Sequence, residues 1–60
     1  MKVKKLLEKY NGYYHIYKPI SKDVDILISD DSKKLTREIR NAKVDYFDAI
    51  NCVLEIYIKK

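Results

Sequence analysis

The sequence predicts one α+β domain over residues 1–60: an N-terminal amphipathic helix packed on a short four-stranded antiparallel sheet, with a short helix between strands 2 and 3. Three observations predict it. Val3, Leu6, Leu7 and Tyr10 stand at i, i+3, i+4 and i+7, the spacing that lines one face of a helix. Residues 13–17 and 24–29 are dense in aromatic and β-branched side chains, as strands are. Residues 52–58 close the chain with alternating apolar and polar positions, the period of a half-covered strand.

In chain order, the helix covers residues 2–10 and Asn11-Gly12 stops it, with Gly12 expected in the left-handed conformation. Strand 1 covers 13–17 and ends at Pro19, which has no N–H for a ladder. Strand 2 covers 24–29, bounded by Ser21-Lys22-Asp23 before it and the turn formers Asp30-Asp31-Ser32 after it. Residues 32–41 read as one or two helical turns with Leu35, Ile39 and Ala42 as the buried stripe. Strands 3 and 4 cover 43–47 and 52–58, and residues 48–51 form their hairpin loop.

Length limits what such a chain can bury. A domain of 60 residues hides only about 60% of the surface its unfolded form exposes. Domains this small gain stability from disulfides, a metal or a partner subunit. The single cysteine, Cys52, excludes an internal disulfide, and with only His15 beside it no structural zinc set can be assembled. A partner subunit is the remaining route, so the chain is expected to be a homo-oligomer. No long apolar run follows the basic N-terminal residues, which reads as a soluble, cytoplasmic protein without a membrane partner. Thirteen Lys and Arg against nine Asp and Glu give a net charge of +4, which suits an anionic partner.

Alternation along each strand sorts side chains onto two faces. One set, Tyr14, Ile16, Val24, Ile26, Ile28, Val44, Tyr46, Cys52, Leu54, Ile56 and Ile58, is almost wholly apolar and is expected under the helix. The opposite set mixes charges with rings: Tyr13, His15, Tyr17, Asp25, Leu27, Lys43, Asp45, Phe47, Val53, Glu55 and Tyr57. A face meant only for water seldom carries so many aromatics. Tyr13, Tyr17, Phe47, Val53 and Tyr57 are therefore the candidate self-association surface. The same rings beside basic residues could instead stack on unpaired bases.

A second candidate surface is basic. Lys33, Arg37 and Arg40 fall on one side of the short helix, with Lys34 and Lys43 close by, a set that could hold phosphates of DNA or a charged partner. The carboxylates Asp23, Asp25, Asp30 and Asp31, with Asp45 and Asp48, are the only residues from which a metal-assisted DNA nickase could be argued. They match no calcium-loop spacing and stand where turn formers belong. His15 has no Ser or Cys in a nucleophile motif near it, and Cys52 reads as a small buried hydrophobe. No catalytic, metal or cofactor site is expected.

The opening helical segment and its stop, Val3-Lys4-Lys5-Leu6-Leu7-Glu8-Lys9-Tyr10-Asn11-Gly12, two strands, a short polar helix and the closing strand Val53-Leu54-Glu55-Ile56-Tyr57-Ile58 follow one pattern. In that pattern the chain resembles small phage-encoded type II-A anti-CRISPR proteins with a PC4-like fold. The resemblance implies oligomeric assembly and action on DNA or on a DNA-targeting nuclease complex of the bacterial host. It carries over no individual site residue. The expected function is a non-enzymatic, oligomeric inhibitor of a host defence protein or nuclease complex; the alternative is a PC4-like nucleic-acid-binding module.

Overall fold

Helix α1, Val3–Lys9, buries Val3 and Leu6 and turns its lysines to water. The computed structural model describes residues 1–59. The helix does not end on a left-handed glycine. Tyr10 is already extended (φ −115°, ψ 122°), and Gly12 has no positive φ. Instead the Tyr10 ring folds over Gly12, and its hydroxyl donates to the Cys52 carbonyl at 3.1 Å. A Cβ on Gly12 would meet that ring at 3.1–3.3 Å, so glycine is needed here for room and not for its dihedral freedom.

Four strands follow: β1 Tyr13–Ser21, β2 Val24–Asp30, β3 Val44–Ile50 and β4 Val53–Ile58, with α2 Arg37–Asn41 between β2 and β3. Thr36 caps α2, its hydroxyl accepting the Ile39 N–H at 3.2 Å. β1 runs through Pro19 and does not stop there. Pro19 lies beyond Tyr17, the last β1 residue paired with β4, where the strand has only β2 beside it. An imino acid is tolerated on such a one-sided strand.

The strand order is β2-β1-β4-β3. The outer pairs are antiparallel, but β1 and β4 run parallel, with Ile16 opposite Ile56, so the sheet is mixed and not purely antiparallel. Two hairpins are joined by a crossover that carries α2. Alternation within a strand marks it as a strand but does not name its neighbour, and here the crossover makes β4 the neighbour of β1.

The core lies on one face. Val3, Leu6, Ile16, Leu54, Ile56 and Ile58 are buried, and Leu7, Tyr10, Tyr14, Ile28, Leu35, Ile39, Ala42 and Val44 pack around them. Six buried apolar side chains, each contributing roughly 1.5–3 kcal/mol, make a thin core. The chain start is stitched to β3: Val3 N–H donates to Ala42 O at 3.0 Å and Val44 N–H to Met1 O at 2.8 Å.

Four members of the expected covered set are exposed. Val24 and Ile26 lie on the part of the β1–β2 hairpin that projects past the last β1–β4 pair, where nothing covers them. Tyr46 is displaced by a bulge in β3: Val44 pairs with Ile58 but Tyr46 with Tyr57, so Asp45 is the extra residue. The slip moves Tyr46 to the face away from the helices and sets Phe47 opposite Ile56 on the helix side. Cys52 is exposed because β3 continues to Ile50 and the hairpin loop shrinks to Asn51-Cys52.

Asn51 (φ 52°) and Cys52 (φ 65°) are both left-handed. This is the two-residue turn that matches strand twist, and its second position favours glycine. A left-handed side-chain residue costs roughly 1–2 kcal/mol, against which glycine loses about 0.5–1 kcal/mol of chain entropy. Cys52→Gly should therefore raise stability by roughly 0.5–1 kcal/mol, read as a higher denaturant midpoint at unchanged slope. An unmoved or lower midpoint would contradict a strained turn.

Candidate functional site

Register places the uncovered face row by row. Tyr17 stands opposite Leu27 on β2 and Tyr57 on β4, and Tyr57 stands opposite Tyr46 on β3. All four strands thus contribute to one row: Leu27, Tyr17, Tyr57, Tyr46. Ile16 and Ile56 point into the core, so their successors Tyr17 and Tyr57 point the other way. The rings stack. Tyr17 and Tyr57 lie 4.9 Å apart at 15°, and Tyr57 and Tyr46 lie 4.5 Å apart at 8°.

Beside this row lies a polar one, in which His15 faces Glu55 and Glu55 faces Asp48. His15 Nδ1 is 3.1 Å from Glu55 Oε2 and 3.3 Å from Oε1. A carboxylate only accepts, so Nδ1 carries the hydrogen and donates it. The His15 ring also meets Tyr17 edge-on, with centroids 6.3 Å apart. A third row holds Tyr13, Val53 and Ile50, of which Tyr13 is 66% and Ile50 50% exposed.

Two phenols of the row, Tyr17 and Tyr57, resist ionisation. Burial raises the Tyr17 hydroxyl above its ordinary value of 10.0, and the neighbouring Glu55 carboxylate adds to the effect. Burial likewise raises Tyr57, helped by Tyr46, Glu55 and Asp25. Tyr17 and Tyr46 each give one ring face to Tyr57. Tyr57, covered on both sides, has no face left for a base.

Of the five residues expected on a self-association surface, Tyr13, Tyr17, Val53 and Tyr57 share this face, and Phe47 does not. Tyr46, 55% exposed, occupies the place expected for Phe47. Alternation alone misses it, because nothing in the run Val44-Asp45-Tyr46 announces a bulge. The His15–Glu55 pair was also beyond sequence reasoning, since it exists only through the parallel register.

Arg37 and Arg40 lie on the other side of the sheet. Leu35, Ile39 and Ala42 pack onto the core from the helix side, and Arg37 and Arg40 are exposed on that same layer. Arg40 and Lys34 line an open groove of about 500 Å³ whose floor includes Leu7, Tyr10, Tyr14 and Leu35. Arg37 and Arg40 line a smaller cavity of about 210 Å³. Lys4, from α1, lines both. Lys33 and Lys43 line neither; Lys43, just before β3, is bridged to Lys2, and its carbonyl accepts the Lys59 N–H at 2.9 Å. The stacked tyrosines and the basic groove are thus two surfaces.

The carboxylates serve local structure. Asp30 Oδ1 accepts from both the hydroxyl and the N–H of Ser32, the latter at 2.8 Å, and these bonds lower its pKa below the usual 3.8. Asp31 accepts the Tyr14 N–H at 3.2 Å, and Asp45 forms the β3 bulge. Among the described residues no three His, Cys, Asp or Glu side chains converge as a metal would need. Among the described residues no helix is long and apolar enough to cross a membrane. No family model, curated protein or solved structure matches the chain.

Glu55→Gln removes the charge that opposes Tyr17 ionisation. Phenolate absorbance should show Tyr17, and to a smaller extent Tyr57, titrating closer to 10.0 in the variant than in the parent. A raised native pKa means that the associated stability is fully present below the unfolded value of 10.0 and is lost as pH rises through the native one. The parent should therefore lose stability on going above pH 10.0, and the variant less. Identical titrations would remove Glu55 as a cause.

Proposed function

We propose that this chain is a small, non-enzymatic interaction protein that works as a homo-oligomer, with the tyrosine face as its self-association surface. The observation that carries the reading is the row Leu27, Tyr17, Tyr57, Tyr46, which crosses four strands with its three rings stacked and is covered by nothing. Pre-stacked rings have little rotamer freedom left to lose, so covering them is entropically cheap. Leu27, Tyr13 and Ile50 extend the apolar area on the same face. A second copy is the occupant that answers the thin core, since it would shield the outer side of β1 and β4, whose inner side is already buried.

Size sets the strength. Four strands about 4.8 Å apart, each about seven residues long at ~3.3 Å, span a face of ~400 Å². That is about half of the ~800 Å² per partner of a standard interface, the size range of weak, reversible contacts. The alternative, a nucleic-acid module joining the basic residues to the face tyrosines, fits less well, because Arg37 and Arg40 lie on the helix side of the sheet, away from those tyrosines, and the Tyr57 ring is stacked on both faces. His15 has only Asp30 and Glu55 opposite it in register, which supplies no nucleophile for a triad.

Sedimentation across a micromolar concentration series should show mass action between monomer and oligomer. Tyr46→Glu, at an exposed position, should leave the monomer folded by circular dichroism and abolish the larger species. A strict monomer throughout, or an oligomer indifferent to Tyr46→Glu, would contradict the reading.

The likeness to small phage inhibitors supplies a setting, in which the oligomer blocks a bacterial DNA-targeting nuclease by occupancy. Added to a guide-loaded type II-A nuclease, the protein should slow target cleavage, and Tyr46→Glu should slow it less. Undiminished cleavage by a preparation that self-associates would remove the setting and leave the assembly standing.

A further inference from the structure

The groove between α1 and the segment leading into α2 is a separate feature, and self-association through the tyrosine face makes no use of it. Its floor is apolar and partly aromatic: Leu7, Tyr10, Tyr14 and Leu35, all half-buried against the core. Tyr10 is fixed by the bond from its hydroxyl to the Cys52 carbonyl and by the close fit of its ring over Gly12. The floor is therefore set before any ligand arrives.

Three cations line the groove with that floor, and a fourth stands in the adjoining cavity. Lys4, Lys34 and Arg40 line the groove, and Arg37 joins Lys4 and Arg40 around the adjoining cavity. Glu8 is the one carboxylate lining either space. None of the four cations is in a salt bridge among the described residues, where the only such pair is His15 with Glu55. They come from separate stretches of chain: α1 supplies Lys4, the loop supplies Lys34 and α2 supplies the two arginines. Unpaired like charges gathered at one place repel, and a bound anion relieves that repulsion.

The volume of about 500 Å³ lies within the ~300–1,000 Å³ typical of small-ligand clefts. A ligand that answers all of these features carries a compact, multiply charged anion at one end and a flat apolar group at the other. Arginine forks suit phosphate oxygens, and tyrosine and leucine side chains suit a heterocyclic base. We propose that this groove is a nucleoside-phosphate site, with the phosphates held by Lys4, Arg37 and Arg40 and the base lying over Tyr10, Tyr14 and Leu35. Lys34 also lines the groove. This site is independent of the tyrosine face.

Titration of the isotope-labelled protein with adenosine diphosphate, followed by amide chemical shifts at low salt, tests it. Saturable shifts should centre on Leu7, Tyr10, Leu35 and Arg40 and leave Tyr46 and Tyr57 unmoved. Adenosine alone and inorganic pyrophosphate alone should each bind at least roughly tenfold more weakly, because each satisfies only one end of the groove. Arg40→Gln and Lys4→Gln, both at exposed positions, should each weaken adenosine diphosphate by roughly tenfold, while Lys22→Gln, on the β1–β2 turn, should change nothing. Four outcomes would overturn the proposal: no saturable shift at millimolar nucleotide, shifts centred on the tyrosine face, pyrophosphate binding as tightly as the nucleotide, or adenosine doing so. Pyrophosphate parity would reduce the groove to a charge patch, and adenosine parity would leave the cations without a role.

Discussion

The parallel pairing of β1 with β4 is the constraint on which the rest of the structure depends. It sets Ile16 against Ile56 in the middle of the sheet, both without solvent exposure, and these two side chains form the floor on which Val3 and Leu6 of α1 rest. Parallel neighbours need a crossover, and the crossover here is the segment that holds α2. Its Leu35, Ile39 and Ala42 complete the covered side. One pairing decides both where the core lies and which element covers it.

The same pairing decides what is left bare. Residues that follow or precede Ile16 and Ile56 are forced to the opposite face, which brings Tyr17 to Tyr57 and His15 to Glu55. Bulges in the outer strands then adjust what stands beside them. The bulge at Asp45 brings Tyr46 against Tyr57, and the irregularity at Ile28 brings Leu27 against Tyr17 while Ser29 goes inward with Ile16. A sheet with helices on one side and a stacked aromatic row on the other has two surfaces of different chemistry. Its helix side gathers cations around an apolar hollow, and its open side gathers neutral rings around one His–Glu pair. This separation favours two independent contacts over one composite nucleic-acid platform.

Much of this was legible in the residues, for reasons that can be named. The 3.6-residue spacing of Val3, Leu6 and Leu7 marks α1, and the aromatic and β-branched runs mark all four strands. Leu35, Ile39 and Ala42 mark the buried side of α2. Four of the five expected self-association residues share one face, because alternation holds wherever a strand is regular. What was not legible is whatever depends on partners distant in sequence. The direction of β4 relative to β1 is a property of the crossover. The exchange of Tyr46 for Phe47 comes from one extra residue whose position no local pattern signals. Cys52 looked buried because its neighbours alternate, yet it sits in a left-handed turn that β3 reaches by running three residues further than its composition indicates. The groove required α1 and the loop before α2 to meet, so Lys4 could not be joined to Arg37 and Arg40 from spacing alone.

Two-dimensional nuclear Overhauser spectra of the labelled protein test the β1–β4 pairing most directly. The account predicts cross-strand amide-to-α contacts in the parallel pattern around Ile16 and Ile56, with ring contacts between Tyr17 and Tyr57 and none between Tyr17 and the side chains of α1. Contacts in the antiparallel pattern between these strands, or a β1 paired with β3 in place of β4, would contradict it and remove the basis for both surfaces.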